Sequence, residues 1–284
     1  CLFACQFIQD IIYTMNKKVN KHSLPLRDKH SLTPLKLLSV IVPAYKQEKT
    51  IKKDLESIIK TLSEGLINTD FEVICVVDGK MDKTYEEAKK IKSETLKVFE
   101  YNNNQGKGHA VRFGMKEAKG DLISFLDAGM DISPKGIMML MAHMDWYNAD
   151  IVVGSKRHPV SQVNYPFLRK ILSIGYQFGV KILFNLPLTD TQSGIKIFKR
   201  EVVEKILPRL LVKTYAMDIE MLAVARYLGF KRIYEGPIEV KFIKSNSAVN
   251  WVTSFKVLWD TLTVFYRLKI LHYYDDKNKN KWIK

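Results

Sequence analysis

Five short apolar runs, separated by four segments with helical spacing, narrow the folds open to residues 37–155. Leu37-Leu38-Ser39-Val40-Ile41-Val42-Pro43 is continuous, apolar and ended by proline. A run of that kind, bounded by turn signals, predicts a parallel strand buried on both faces. The stretch 49–62 then sets Ile51, Leu55, Ile58, Ile59 and Leu62 on one helical face. The alternation repeats, with strands predicted at 71–77, 96–101, 121–126 and 151–153 and helices at 82–91, 107–118 and 134–146. The fold class is therefore α/β: an open, mostly parallel, Rossmann-like sheet flanked by helices. Ligands of such sheets bind beyond the carboxyl ends of the strands.

After residue 155 the pattern changes. The stretch 166–186 is long and apolar, interrupted by Arg169, Lys170 and Lys181. A helix is expected at 217–228, two short strands around Ile233 and Ile238, and a last helix at 249–271. The expected organisation is an N-terminal tail at 1–36, polar and basic from residue 15, an α/β domain at 37–245 that includes the helix at about 166–186, and an amphipathic helix with a basic tail at 246–284. The chain starts at Cys1 and its first methionine is Met15, so residues 1–14 are expected to be an upstream addition, or the chain a fragment. Residues 2–12 are apolar but too short to span a bilayer, and they lack the basic start of a signal peptide.

A chain of 284 residues can bury a core without disulfides or a structural metal. With 46% hydrophobic and 26% charged residues it is not a disordered protein. Three cysteines, Cys1, Cys5 and Cys75, make no disulfide framework and favour a reducing compartment. The net charge of +15 suits polyanions or anionic lipid, or reflects only a lysine-rich composition. Zinc-ligand spacing and an aromatic-basic RNA signature are both missing from the sequence, so no nucleic-acid partner is expected.

The strand ends collect the chemistry. They carry Pro43-Ala44-Tyr45, Asp78-Gly79 with Asp82 close behind, Asn104-Gln105-Gly106-Lys107-Gly108, and Asp127-Ala128-Gly129-Met130-Asp131. A ring to stack on, donors for phosphate and carboxylates for a hard cation suit a nucleotide with a metal-bound diphosphate. Each piece also has a plainer reading. Asp78-Gly79 is a common turn, the glycines around Lys107 suit a tight helix entry, and Asp127 and Asp131 suit helix capping. If the chain runs extended from Asp127 to Asp131, positions 127, 129 and 131 face one side. Gly129 would then leave room for one Mg²⁺ or Mn²⁺, its shell completed by a diphosphate.

The runs 40–45, 76–79, 106–112 and 127–131 resemble the nucleotide-sugar half of inverting GT-A glycosyltransferases of the family 2 type. Asp190-Thr191-Gln192-Ser193-Gly194-Ile195-Lys196-Ile197-Phe198 resembles the signature of dolichyl- or polyprenyl-phosphate mannosyl- and glucosyltransferases. The resemblance covers roughly 37–270. It implies metal-dependent, inverting transfer of a hexose from GDP-mannose or UDP-glucose to polyprenyl or dolichyl phosphate. The place implied is the cytoplasmic face of a membrane, with peripheral or monotopic attachment. By the same resemblance Pro43, Tyr45, Gln47 and Val76 line the nucleotide and Asp78 hydrogen-bonds the base. Lys107, Asp127 and Ala128 contact the nucleotide sugar, and Asp131 with Asp127 ligates Mg²⁺ or Mn²⁺. Arg157 joins Asp127 and Asp131 in the catalytic set, while Arg169, Lys170, Ser173 and Ser193 hold the lipid phosphate. Three positions depart from the family pattern. Gln47 replaces a usual Glu, Val77 the first Asp of Asp-Asp-Gly, and Gly129 the second carboxylate position of the metal motif.

An acceptor that is already a phosphate needs no base, and catalysis reduces to positioning and charge neutralisation. A hydroxyl acceptor needs a base, for which Asp218 and Glu220 are candidates; the same two residues also suit a helix N-terminus. Two further readings therefore stand: a transferase acting on a glycan or protein, and a non-catalytic nucleotide-sugar or lipid-binding homologue suggested by Gly129. The stretch 171–188 and the last helix, with Trp251, Phe255, Trp259 and Phe265 among basic residues, fit interfacial helices or helices packed on the sheet.

Overall fold

β1 (Leu37–Ala44) lies inside the sheet, between β2 (Asp70–Val77) and β4 (Leu122–Leu126), parallel to both. The computed structural model describes residues 37–158, 161, 167–214, 216–240 and 251–282, with backbone alone for 167–174 and 251–254. The expected tail at 1–36 lies outside the described residues. The sheet has seven strands in the order β3-β2-β1-β4-β6-β5-β7, with β3 at Leu96–Glu100, β5 at Ile151–Ser155, β6 at Ile195–Lys199 and β7 at Ile233–Pro237. Only β6 runs antiparallel to its neighbours, β4 and β5.

The continuous apolar run of β1 follows from cover on both faces. Leu38, Val40 and Val42 join Ile51, Leu55, Ile58 and Leu62 of α1 (Ile51–Gly65) in one core. Ile41 joins Ile74, Val76, Phe125 and α3 (Lys107–Glu117) in the other. Ser39, polar within that run, is satisfied: its hydroxyl donates to Glu72 at 2.7 Å and accepts from the Gly120 amide at 2.7 Å. Cys75 is a free buried thiol, pushed up to about 12 by loss of solvent.

α2 (Thr84–Lys89) and α4 (Gly136–Trp146) complete the alternating half. Where two strands are expected near 233 and 238, there is one. β7 ends at Pro237, and Val240 makes only an isolated antiparallel bridge to Ile132. β6 and α6 (Arg200–Ile206) are not expected from the sequence pattern. β6 holds Lys196 inside its apolar run, which breaks the pattern of a buried strand.

α7 (Met217–Tyr227) is buried along most of its length. α5 (Phe167–Phe184) and α8 (Trp251–Lys269) pack together through the edge-to-face pair Phe184–Phe265 and a 2.7 Å bond between the Tyr176 and Thr261 hydroxyls. Thr261, Val264 and Leu268 form the buried side of α8, while Phe255, Leu258, Trp259, Leu262 and Tyr266 are exposed. No described helix is long and apolar enough to cross a membrane. The end of the chain, expected as a tail, folds back: the Arg209 guanidinium lies 3.9 Å from the Trp282 ring, and Tyr274 is fully buried.

Candidate active site

The carboxyl ends of β1, β2 and β4 open into a cleft of about 430 Å³. Pro43, Tyr45 and Gln47 form one wall, Asp78, Asn104 and Gly106 the next, and Lys107, Asp127 and Ala128 the floor, with Thr214 opposite. Among the residues expected to contact a nucleotide sugar, all but Val76 line this cleft. Val76 is fully buried inside β2, packed with Ile41, Ile74 and the α3 residues Ala110 and Val111.

Lys107 is the first residue of α3, so it projects from the helix entry toward the strand ends. Its ammonium lies 2.7 Å and 2.8 Å from the two carboxylate oxygens of Asp127. Asp127 follows β4 and is held from behind by its amide, which donates to the Gly194 carbonyl at 3.0 Å. A β-carbon at Gly194 would sit 2.3 Å from Asp127 Oδ2, so only glycine lets this loop lie under the carboxylate. The Gln47 Oε1 atom is buried and has no hydrogen-bond partner.

The segment 127–131 is a turn and does not run extended. Gly129 has φ +95° and Met130 φ +58°, and the Gly129 amide donates to the buried Asp54 carboxylate at 3.3 Å. Positions 127, 129 and 131 therefore do not share one side, and Asp131 is exposed at the far end of the turn. Space is open at Gly129, where a β-carbon would meet only Gln47 Nε2 at 3.6 Å, but the left-handed backbone disfavours a side chain. Among the described residues no three His, Cys, Asp or Glu side chains cluster to cage a cation. Mg²⁺ or Mn²⁺ needs only one or two carboxylates when phosphates and water complete its shell. The exposed carboxylate of Asp131 fits that demand, whereas Asp127 already carries the Lys107 charge.

The remaining expected residues lie elsewhere. Arg157 follows β5, outside the cleft lining, with its amide on the Ser155 hydroxyl at 3.2 Å. Ser193 is fully buried, so it presents no hydroxyl to a lipid phosphate. Positions 169 and 173 are one turn apart on α5; the side chains of Arg169, Lys170 and Ser173 lie outside the described residues.

Asp218 and Glu220 do not serve as bases. Asp218 pairs with Lys196 at 2.5 Å, and Lys196 has no exposed surface. The Lys196 ammonium also donates to the Ser193 carbonyl at 2.7 Å and lies 5.2 Å from the Phe125 ring, which Lys107 approaches at 5.7 Å. Burial lowers the Lys196 pKa against the pull of Asp218. No role is expected for Lys196 from the 190–198 resemblance; its lone charge in an apolar run is the signal that marks it.

Glu220 is fully buried and accepts the amides of Leu211 and Val212 and the Tyr274 hydroxyl. Burial raises its pKa above the ordinary 4.5. The folded state thus holds that proton more tightly than the unfolded chain. Its contribution to stability is full below pH 4.5 and is lost as pH rises through the folded value. Urea unfolding is expected to show wild-type stability, relative to Glu220→Gln, falling over that rise. A flat difference would refute this ionisation.

An open, mostly parallel α/β sheet with a cleft at the carboxyl ends of its strands, lined by Asp78, Lys107 and Asp127, defines a GT-A-type fold. The chain belongs to glycosyl transferase family 2, whose family model matches residues 39–207. The dolichyl-phosphate beta-glucosyltransferase of Drosophila melanogaster is 35% identical over 205 residues, 67% of this chain and 63% of the relative. The dolichyl-phosphate beta-glucosyltransferase of Homo sapiens is 30% identical over 259 residues, covering 84% of this chain and 74% of the relative. The chain thus spans a little under two thirds of the Drosophila relative's length. The glucosyl-3-phosphoglycerate synthase of Mycobacterium tuberculosis, solved with Mn²⁺, UDP and glucosyl-3-phosphoglycerate, shares the fold. Its TM-score is 0.60 at 20% identity, over 81% of this chain and 80% of that one.

Proposed function

We propose that this chain transfers glucose from UDP-glucose to dolichyl or a related polyprenyl phosphate, with inversion, at a membrane surface. Two relatives are named for β-glucosyl transfer to dolichyl phosphate, which favours glucose over mannose. The observation that carries the reading is that the cleft adjoins α8. Thr214 of the cleft wall donates its hydroxyl to Asp260 of α8 at 2.5 Å, and α8 turns exposed aromatics outward.

In the proposed reaction an acceptor phosphate oxygen attacks the anomeric carbon, a new C–O bond forms, and the bond to UDP breaks. A single displacement inverts that carbon. The acceptor is anionic at neutral pH, so no base is required, in keeping with the buried Asp218 and Glu220. This disfavours a glycan or protein hydroxyl as acceptor. Tyr45, exposed at the cleft mouth, offers a ring to the base. Lys107, oriented by Asp127, faces the departing diphosphate. The exposed Asp131 would hold Mg²⁺ or Mn²⁺, which would supply further positive charge when bound. Arg157, Arg169, Lys170 and Ser173 take the acceptor phosphate, for which a guanidinium supplies two hydrogen bonds. Phe178 and Ile182 of α5 and the outer face of α8 rest on the bilayer, drawn by the net charge of +15 to anionic head groups on the cytoplasmic side.

The test supplies purified protein with labelled UDP-glucose, short-chain polyprenyl phosphate in anionic vesicles, and Mn²⁺ or Mg²⁺. Glucosylated lipid is expected, with little product from GDP-mannose. Product only with glycan acceptors would overturn the reading. Nucleotide binding without turnover would favour the non-catalytic homologue. Arg169→Ala is expected to raise the lipid KM by about tenfold and leave the UDP-glucose KM unchanged; unchanged lipid kinetics would remove Arg169 from the acceptor site.

A further inference from the structure

Asp78 ends β2 and is only 3% exposed. Its Oδ1 accepts the Tyr101 hydroxyl at 2.7 Å and the Gln105 amide at 2.8 Å. Its Oδ2 accepts the Asn104 side-chain amide at 3.0 Å and the Gly106 amide at 2.9 Å. An ionised carboxylate offers about four lone-pair sites. All are taken, and none is left for a base N–H. Every donor belongs to one segment, 101–106, which runs directly into Lys107 and α3.

The neighbouring residues are built around the same segment. A β-carbon at Gly79 would lie 2.6 Å from the Asn104 amide nitrogen, so the glycine makes room where the aspartate binds. The Lys80 amide donates to the Asn102 carbonyl at 3.2 Å.

We infer that Asp78 is a positioning residue: it folds the 101–106 loop so that Lys107 enters the cleft, and it does not read the nucleotide base. This rests on the nucleotide reading of the cleft proposed above. An acceptor without a protein partner, Gln47 Oε1, remains in the same cleft.

Asp78→Asn tests the inference, because whichever way it is flipped its NH₂ faces the backbone amide of Gln105 or Gly106, which can only donate. In ligand-free protein, hydrogen exchange at the Gln105 and Gly106 amides is expected to speed up by about tenfold or more. Tyr101→Phe, which keeps the carboxylate, is expected to give a smaller increase at the same amides. UDP and GDP are expected to lose affinity by the same factor. Because Asp78 acts through Lys107, Asp78→Asn added to Lys107→Ala is expected to cost kcat little beyond Lys107→Ala alone. Unchanged exchange at both amides would overturn the positioning role. A shift of about tenfold or more in the UDP-to-GDP preference would make Asp78 a base reader instead. If the wild-type protein binds neither nucleotide, the proposed function falls, while the exchange measurement still decides the loop claim.

Discussion

Asp127→Ala is expected to lower kcat/KM for the sugar nucleotide by about 10²–10³-fold, with the melting temperature nearly unchanged. Asp127 is 37% exposed, so its ion pair with Lys107 is screened and adds little stability. The amide bond to the Gly194 carbonyl, which anchors the turn, survives the substitution. What is lost is the fixed placement of an ammonium group at the cleft floor, and preorganised charge is worth far more to a transition state than to the fold. Asp127→Asn is expected to recover only part of the loss, because an amide orients the ammonium without matching its charge. Steady-state kinetics with a parallel thermal melt decides this. Wild-type kcat/KM in Asp127→Ala would exclude the Lys107–Asp127 pair from the reaction. Asp131→Ala is the companion measurement: raising Mn²⁺ is expected to restore part of its activity and none of the activity of Asp127→Ala.

Lys196→Met is expected to destabilise the protein by about 3–5 kcal/mol, because it leaves the Asp218 carboxylate buried without its counter-charge. Both partners are out of solvent, at 0% and 5% side-chain exposure, so water cannot replace the lost ammonium. The Ser193 carbonyl loses its donor as well. Lys196→Met combined with Asp218→Leu is expected to regain most of the stability, since an apolar pair carries no desolvation cost. Urea denaturation of the two variants measures the difference. A single variant as stable as the wild type would mean that Asp218 finds another partner. The position explains the size of the effect: Lys196 lies on β6, inside the sheet between β4 and β5, with its ammonium 5.2 Å from the Phe125 ring.

Both effects reside in residues whose roles differ in legibility. Asp127 was visible in the sequence as a charged residue just after a buried strand. The lysine that neutralises it was visible only as part of a glycine-flanked turn, twenty residues earlier. Whether 127–131 runs extended or turns is not legible locally, because the Gly129 amide donates to the Asp54 carboxylate within a turn that has positive φ at Gly129 and Met130. Asp54 sits on α1, 75 residues away along the chain. Likewise Asp218 and Glu220 looked like a polar helix start, and only packing put them out of reach of water.

Sequence alone determined the strand-helix alternation, the two-sided burial of β1, the class of fold and the edge of the sheet where the cleft opens. Those properties follow from local periodicity and from runs of apolar side chains, which are readable residue by residue. Tertiary structure alone decided which carboxylates are spent on the protein itself. Asp78 meets donors 23 to 28 residues away, and Asp218 meets Lys196 across 22 residues. Hydrogen-bond saturation and loss of solvent are set by such distant contacts, so the same residue type is an exposed carboxylate at Asp131, a saturated acceptor at Asp78 and a buried counter-ion at Asp218.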